Sequence, residues 1–272
     1  MDTKFNIAVL IDGDNAQPKL LQAIIEEVSK YGKGTIRRIY GDWTQLQMRG
    51  WKDIINQYSF NPIQKFSYTT GKNSTDSSLI IDAMDILHEK NIHGFCIVSS
   101  DSDYTGLAKR IREQGVFVMG IGRKTTPIAF IQSCEIFTFT ENISFEIVQT
   151  EELKKVKTKT KQRPKKEIEA KKETASEKDM VIERVAEKEV IDTTIIDKAF
   201  DISVGEEEEV HIAQIGLNLR KLDPSFDSRA FGYKNLTRLF ENLPNYKVIR
   251  NDVNGLSHPI IKRKWNVFHF RK

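Results

Sequence analysis

Three short stretches of this chain carry acids at spacings that chemistry could use. Asp12-Gly13-Asp14-Asn15 ends the apolar run Ile7–Ile11, Asp101-Ser102-Asp103 follows Phe95–Val98 and two serines, and Asp76 opens the helical pattern "STDSSLIIDAMDIL". An Asp in front of a helix caps free backbone N–H groups, which accounts for Asp103 or Asp76 taken singly. One cap suffices, so Asp101 beside Asp103 needs a further reason. Like charges held together repel unless water or a cation screens them. Carboxylates gathered without nitrogen or sulfur ligands select a hard cation, Mg²⁺ or Mn²⁺. Such an ion lowers the pKa of a bound water and neutralises charge on a phosphodiester during in-line attack. No Ser–His pair offers a competing nucleophilic mechanism, and His88 and His93 fall around a helix-to-strand turn, where solvated histidines are the rule.

For these acids to meet, the surrounding elements must bring them to one place. β-branched runs predict strands at 6–12, 35–43, 61–66, 94–100, 116–122 and 135–140. Amphipathic patterns predict helices at 18–31, 43–58, 76–90, 103–115 and 127–134. Continuous apolar strands alternating with such helices imply an α/β fold, a parallel sheet covered on both faces. Ligands of such sheets bind outside the carboxyl ends of the strands, where strand order reverses. If strands 6–12 and 94–100 are neighbours there, their terminal acids share a crevice. On a helical wheel Asp76 points along the buried stripe of its helix, whereas Asp82 and Asp85 fall on the solvated side.

Beyond residue 146 the composition changes. Residues 147–189 have no aromatic side chain and few apolar ones, and 153–172 hold 10 basic against 2 acidic residues. Such a segment cannot bury enough surface to offset its ordering entropy, which predicts a flexible charged linker. From 190 to 272 a second unit is expected: three helices followed by the hairpin YKVIRND…PIIKRKW, a small winged-helix arrangement. The net charge of +4 lies wholly in residues 205–272, which carry 12 Lys/Arg against 8 Asp/Glu. Cys96 and Cys134, both in apolar or near-apolar runs, show no zinc-binding spacing and make no disulfide framework. The amino-terminal apolar run is too short for a signal peptide and no segment approaches a membrane span, so a cytoplasmic protein is expected.

The set "AVLIDGDN", "STDSSLIIDAMDIL" and "IVSSDSDYTGLAKRIREQGVFVMGIG" resembles the NYN domain family, a branch of the PIN-like nucleases, over about residues 5–142. The resemblance implies a Rossmann-like core and a metal-dependent ribonuclease. It marks Asp12, Asp76, Asp101 and Asp103 as metal carboxylates and places Asn15 beside them in the catalytic set. The segment "IGLNLRKLDPSFDSRAFGYKNLTRLFENLPNYKVIR" is similar to the OST-HTH/LOTUS domain, with the likeness spanning about 190–265. That second resemblance implies RNA binding, or docking of a protein partner. Arg229, Lys234, Asn235 and Arg238 fall near the start of the third helix, the position that meets nucleic acid in helix-turn-helix modules. Lys262, Arg263 and Lys264 on the hairpin add a second basic patch.

The expectation is a two-domain protein that hydrolyses structured or single-stranded RNA with Mg²⁺ or Mn²⁺, its domains being 1–146 and 190–272. Two alternatives stand beside it. One is a non-catalytic RNA-binding adaptor. The other is a haloacid-dehalogenase-type phosphatase, since "DGDNA" contains a DxD pair, although the Thr or Val expected two residues after the second Asp is missing.

Overall fold

A computed structural model describes residues 5–65, 74–88, 92–144, 193–204, 209–253 and 256–264. The linker expected at 147–189 lies outside the described residues. The chain divides into two compact units, one dominated by residues up to 147 and the other by residues beyond.

In the first unit the apolar runs form the strands β1 (Asn6–Asp12), β2 (Lys33–Gly41), β3 (Asn61–Gln64), β4 (Gly94–Val98), β5 (Phe117–Gly122) and β6 (Ile136–Phe139). They make one parallel sheet in the order β3-β2-β1-β4-β5-β6. The chain lays down β1, β2 and β3 outward on one side, then crosses back so that β4 pairs with β1. The order therefore reverses between β1 and β4, the two strands that end in acids.

Alternation along β1 feeds two cores. Ile7, Val9 and Ile11 pack on the face covered by α1 (Leu21–Ser29) and α2 (Lys52–Tyr58). Ala8 and Leu10 face the opposite way, toward α3 (Ser74–His88), α4 (Thr105–Glu113) and α5 (Ile128–Ser133). Burying one such Leu or Ile side chain contributes roughly 1.5–3 kcal/mol, and both cores are rich in them. The expected helices 18–31, 43–58 and 103–115 each begin instead with a 3₁₀ turn, at Pro18–Leu20, Leu46–Trp51 and Ser102–Tyr104. A tight first turn lets the chain leave the sheet edge before the helix proper starts.

The wheel placed one residue on the wrong side. Leu79, Ala83 and Ile86 are the buried positions of α3, which rotates Asp82 inward. There its carboxylate accepts hydrogen bonds from the Arg38 guanidinium and the Tyr40 hydroxyl, both on β2. Burial pushes the Tyr40 phenol well up from its ordinary range, and the Asp82 carboxylate beside it adds to that. Asp85 is exposed, as expected. Arg38→Ala should therefore cost about 1–3 kcal/mol, because the half-buried carboxylate loses its charged donor. Urea unfolding of the full-length protein measures this, and Asp82→Asn should fall in the same range rather than being neutral.

The second unit contains α6 (Thr193–Ser203), β7 (Glu209–His211), α7 (Ile212–Leu222), α8 (Leu236–Asn242), β8 (Tyr246–Val253) and β9 (Leu256–Arg263). Ile196, Phe200, Ile215, Leu219, Leu239, Phe240 and Tyr246 form its core. Helices packed on an antiparallel sheet make a winged-helix arrangement. The sheet has the order β7-β9-β8, so the expected hairpin gains a third strand from a stretch that reads as charged loop and helix start. The third helix is shorter than its sequence pattern. Gly232 at φ 82° ends a 3₁₀ turn over Ser228–Phe231, and Asn235 then caps α8 by accepting from the Arg238 backbone N–H at 3.0 Å.

Candidate metal centre

Each acid is positioned by a strand or helix end. β1 stops at Asp12 because Gly13 turns the chain against β2: its N–H donates to the Tyr40 carbonyl at 2.8 Å. A Cβ at Gly13 would lie 2.7 Å from that oxygen, so no larger residue fits without displacing backbone. The buried Trp51 holds the same turn from below, its Nε1 donating to the Gly13 carbonyl at 3.2 Å. Beside it β4 continues for one more ladder bond, from Ser99 N–H to the Ile121 carbonyl at 3.0 Å. Gly122 leaves room for the Ser99 carbonyl, which a Cβ there would approach to 2.5 Å.

Ser99 then ties the two strand ends together. Its buried Oγ donates to Asp12 Oδ2 at 2.9 Å and accepts from the Asp101 backbone N–H at 3.1 Å. Asp12 Oδ2 also accepts from Asn15 Nδ2 at 2.7 Å, and Asp12 Oδ1 from the Asp14 N–H at 3.2 Å. Asp101 caps the following turn through the Asp103 N–H at 2.9 Å. The first turn of α3 supplies Asp76, whose Oδ1 accepts from the Tyr104 hydroxyl at 2.7 Å.

Among the described residues, Asp76, Asp101 and Asp103 each offer an oxygen within 4.8 Å of the others. They come from two elements at the carboxyl end of the sheet: Asp101 and Asp103 from the turn that follows β4, Asp76 from α3. Asp12 is not part of that trio. It lies next to it with 1% of its surface exposed, its oxygens already engaged by Asn15, Ser99 and the turn. Burial holds the Asp12 carboxyl above the usual aspartate range; the Asn15 and Ser99 donors oppose this, and Asp76 and Asp14 reinforce it. Burial likewise raises Asp76, against the pull of the Tyr104 hydroxyl and with Asp101, Asp103 and Asp14 adding repulsion. Asp14 is thus a further acid facing the site, held by Gln47 Nε2 at 3.1 Å.

A hard divalent cation fits this donor set. The ligand atoms are all carboxylate oxygens, they converge on one point, and their mutual repulsion raises the cost of leaving them charged without a counter-ion. Metal-free protein should show that cost. Above the ordinary aspartate value of 3.8, the folded state holds the Asp12 and Asp76 protons more tightly than the unfolded chain does. Stability contributed by these groups therefore falls as pH rises through their elevated values. In EDTA, Asp76→Asn should melt above the wild type near neutrality, and the gap should close as pH falls toward 3.8. Calorimetry of the two proteins across that range tests the sign.

Sequence reasoning missed Tyr104, Ser99 and Trp51. Tyr104 sits on an apolar helical stripe, and the only signal in it was a hydroxyl that, once buried, needs a partner. Cys96 and Cys134 are both buried, with burial pushing the Cys134 thiol up to about 12. Neither belongs to the acidic site.

In the second unit the basic residues separate into two groups. Arg229 has only 8% of its side chain exposed and makes a paired contact with Asp227, Nε at 2.8 Å and Nη2 at 2.6 Å from Oδ2, so it is not displayed to a ligand. Arg263 stacks 4.9 Å over the Phe200 ring and bonds Asp201 at 2.9 Å, which makes it part of the packing. Asn235 serves as the cap of α8. Lys234 and Lys264 are exposed. Arg238 is exposed but bonded to Glu241 at 2.7 Å, and Lys262 lies 3.8 Å from Glu209.

No described helix is long and apolar enough to cross a membrane. No curated protein matches the chain. Among solved structures, a protein of unknown function from Vibrio parahaemolyticus is similar at 20% identity, covering 52% of this chain and 95% of its own, with a TM-score of 0.43. An uncharacterized protein from Nitrosomonas europaea is similar at 20% identity over 39% of this chain and 99% of its own, with a TM-score of 0.29. Likeness at these scores carries no argument about activity. The family comparisons are more specific: the NYN domain matches residues 6–144 and the OST-HTH/LOTUS domain residues 178–258. The first match spans the whole parallel sheet with its strand-end acids, and the chain belongs to the NYN domain family, with an OST-HTH/LOTUS domain following.

Proposed function

We propose that the protein is a divalent-metal-dependent ribonuclease whose carboxyl-terminal module binds the RNA. The observation that carries this is the convergence of Asp76, Asp101 and Asp103 at the strand-order reversal of a NYN domain. In this proposal those three carboxylates hold Mg²⁺ or Mn²⁺, and Asp12 faces them as a fourth, oriented by Asn15 and Ser99. The ion would polarise the scissile phosphodiester and make a water acidic enough to attack it. Tyr104 and Ser99 orient the Asp76 and Asp12 carboxylates, while the Gly13 turn and the lack of a side chain at Gly122 let the strand ends lie close together. Asp12, buried and with both oxygens engaged, is poorly disposed to act as the nucleophile that a dehalogenase-type phosphatase requires.

The division of labour is also proposed. Residues 1–146 carry the chemistry, 147–189 form a tether basic in its first half, and 190–272 dock RNA through Lys234, Arg238, Lys262 and Lys264. Tethering raises the local concentration of substrate at the acidic site. A cytoplasmic location belongs to the same proposal. Full-length protein incubated with mixed RNA and single-stranded DNA in Mn²⁺, Mg²⁺ or EDTA tests the function. Metal-dependent loss of RNA supports the nuclease. A mobility shift without cleavage selects an RNA-binding adaptor, and hydrolysis of p-nitrophenyl phosphate selects a phosphatase.

A further inference from the structure

The network around Tyr104 goes further than holding a fold together. Tyr104 is fully buried at the end of the 3₁₀ turn that carries Asp103, and its ring packs near Phe130 at 6.3 Å between centroids. Its hydroxyl reaches out of this apolar bed to donate to Asp76 Oδ1 at 2.7 Å, and it also lies against Asp12. The element carrying Asp101 and Asp103 therefore grips the carboxylate that α3 contributes from 28 residues away in sequence. A carboxylate bonded at one oxygen by a rigid phenol has its rotation restricted and keeps lone pairs for a further contact.

We propose that Tyr104 is a positioning residue for the metal centre: its hydroxyl orients Asp76, so that the three carboxylates are set for a divalent cation before the ion arrives. This rests on the metal-site reading above. Partners that orient metal ligands in this way typically contribute 10- to 100-fold in metal affinity, and pre-orientation removes an ordering cost from binding.

The test uses full-length protein and Mn²⁺ alone, with binding followed by electron paramagnetic resonance of the unbound ion and by calorimetry. Tyr104→Phe keeps the ring and its packing and removes only the hydroxyl. It should weaken Mn²⁺ binding by about 10-fold. In an Asp76→Ala background, which removes the acceptor, the same change should have little further effect, because the partner through which it acts is gone. A residue serving only stability would lower the melting temperature in EDTA without changing the Mn²⁺ affinity of the folded protein. Wild-type binding with unchanged affinity in Tyr104→Phe overturns the inference and leaves the metal site standing. Absence of Mn²⁺ binding by the wild type overturns both. If the variant does not fold, wild-type protein labelled at the tyrosine ¹³Cζ decides: the Tyr104 resonance should move on Mg²⁺ saturation, and a resonance that stays still overturns the proposal.

Discussion

Asp101→Asn should abolish metal-dependent RNA cleavage, lowering kcat/KM by roughly 100-fold or more, since charge stabilisation by a bound cation is worth several kcal/mol. The fold should survive. The Asp101 side chain also caps the turn beneath it through Oδ1, and an asparagine oxygen can make the same bond to the Asp103 N–H. The Asp101 backbone N–H keeps its Ser99 acceptor whatever the side chain. Asp76→Asn should lose activity to a similar extent, with its stability in EDTA raised for the reason given above. Two controls separate the site from the helix that carries it. Asp85→Asn, exposed on α3, should leave both stability and cleavage near wild type. Asp82→Asn should lower stability through its bonds to Arg38 and Tyr40, yet leave cleavage per folded molecule unchanged. Single-turnover cleavage with circular dichroism of each variant checks the set. A fully active, folded Asp101→Asn protein would remove the metal site from the proposed mechanism.

The second large effect concerns salt. Seven polar residues of the carboxyl-terminal module are candidates for RNA contact by position in sequence, but the Arg229 side chain is buried against Asp227, Arg263 is engaged by Phe200 and Asp201, and Asn235 is a helix cap. Lys234, Arg238, Lys262 and Lys264 remain. Three or four phosphate contacts predict a log–log dependence of affinity on salt with a slope of roughly −2 to −3 for single strands. Arg238 and Lys262 have acidic neighbours, Glu241 and Glu209, that dilute their contribution. Replacing Lys234 and Lys264 together by Ala should therefore remove about 1.4 from the slope, with no effect on the core. Arg229→Ala should instead weaken the module itself, because Asp227 loses a bidentate partner within the fold. Fluorescence anisotropy of the full-length protein on a labelled RNA at several KCl concentrations distinguishes these results. An unchanged slope in the double variant, or no binding at low salt, would point to protein docking by this module.

Much of the architecture could be read from local pattern. The apolar runs of β1 and β4 end in acids, the stretches between strands have helical period, and Asp76 falls in the first turn of its helix. Each of these depends on neighbours a few residues away, so period and capping chemistry suffice to find them. The alternation of strand and helix then requires a parallel sheet, and with it a crevice at the carboxyl ends. What remained hidden depends on partners far away in sequence. Asp82 turns inward because β2 places Arg38 and Tyr40, 44 and 42 residues distant, beneath α3. Tyr104 reads as one more apolar position until the fold sets Asp76 against its hydroxyl. Asp12 looks equivalent to the other acids, yet the β1–β4 pairing puts Ser99 beside it and buries it, which separates it from the less buried trio. Arg263 looks like displayed charge until Asp201 and Phe200, on the distant α6, engage it. Type and spacing determined which residues had the chemistry for a metal site; side-chain orientation and pairing, which belong to the packed structure and not to any one segment, decided which of them face one another.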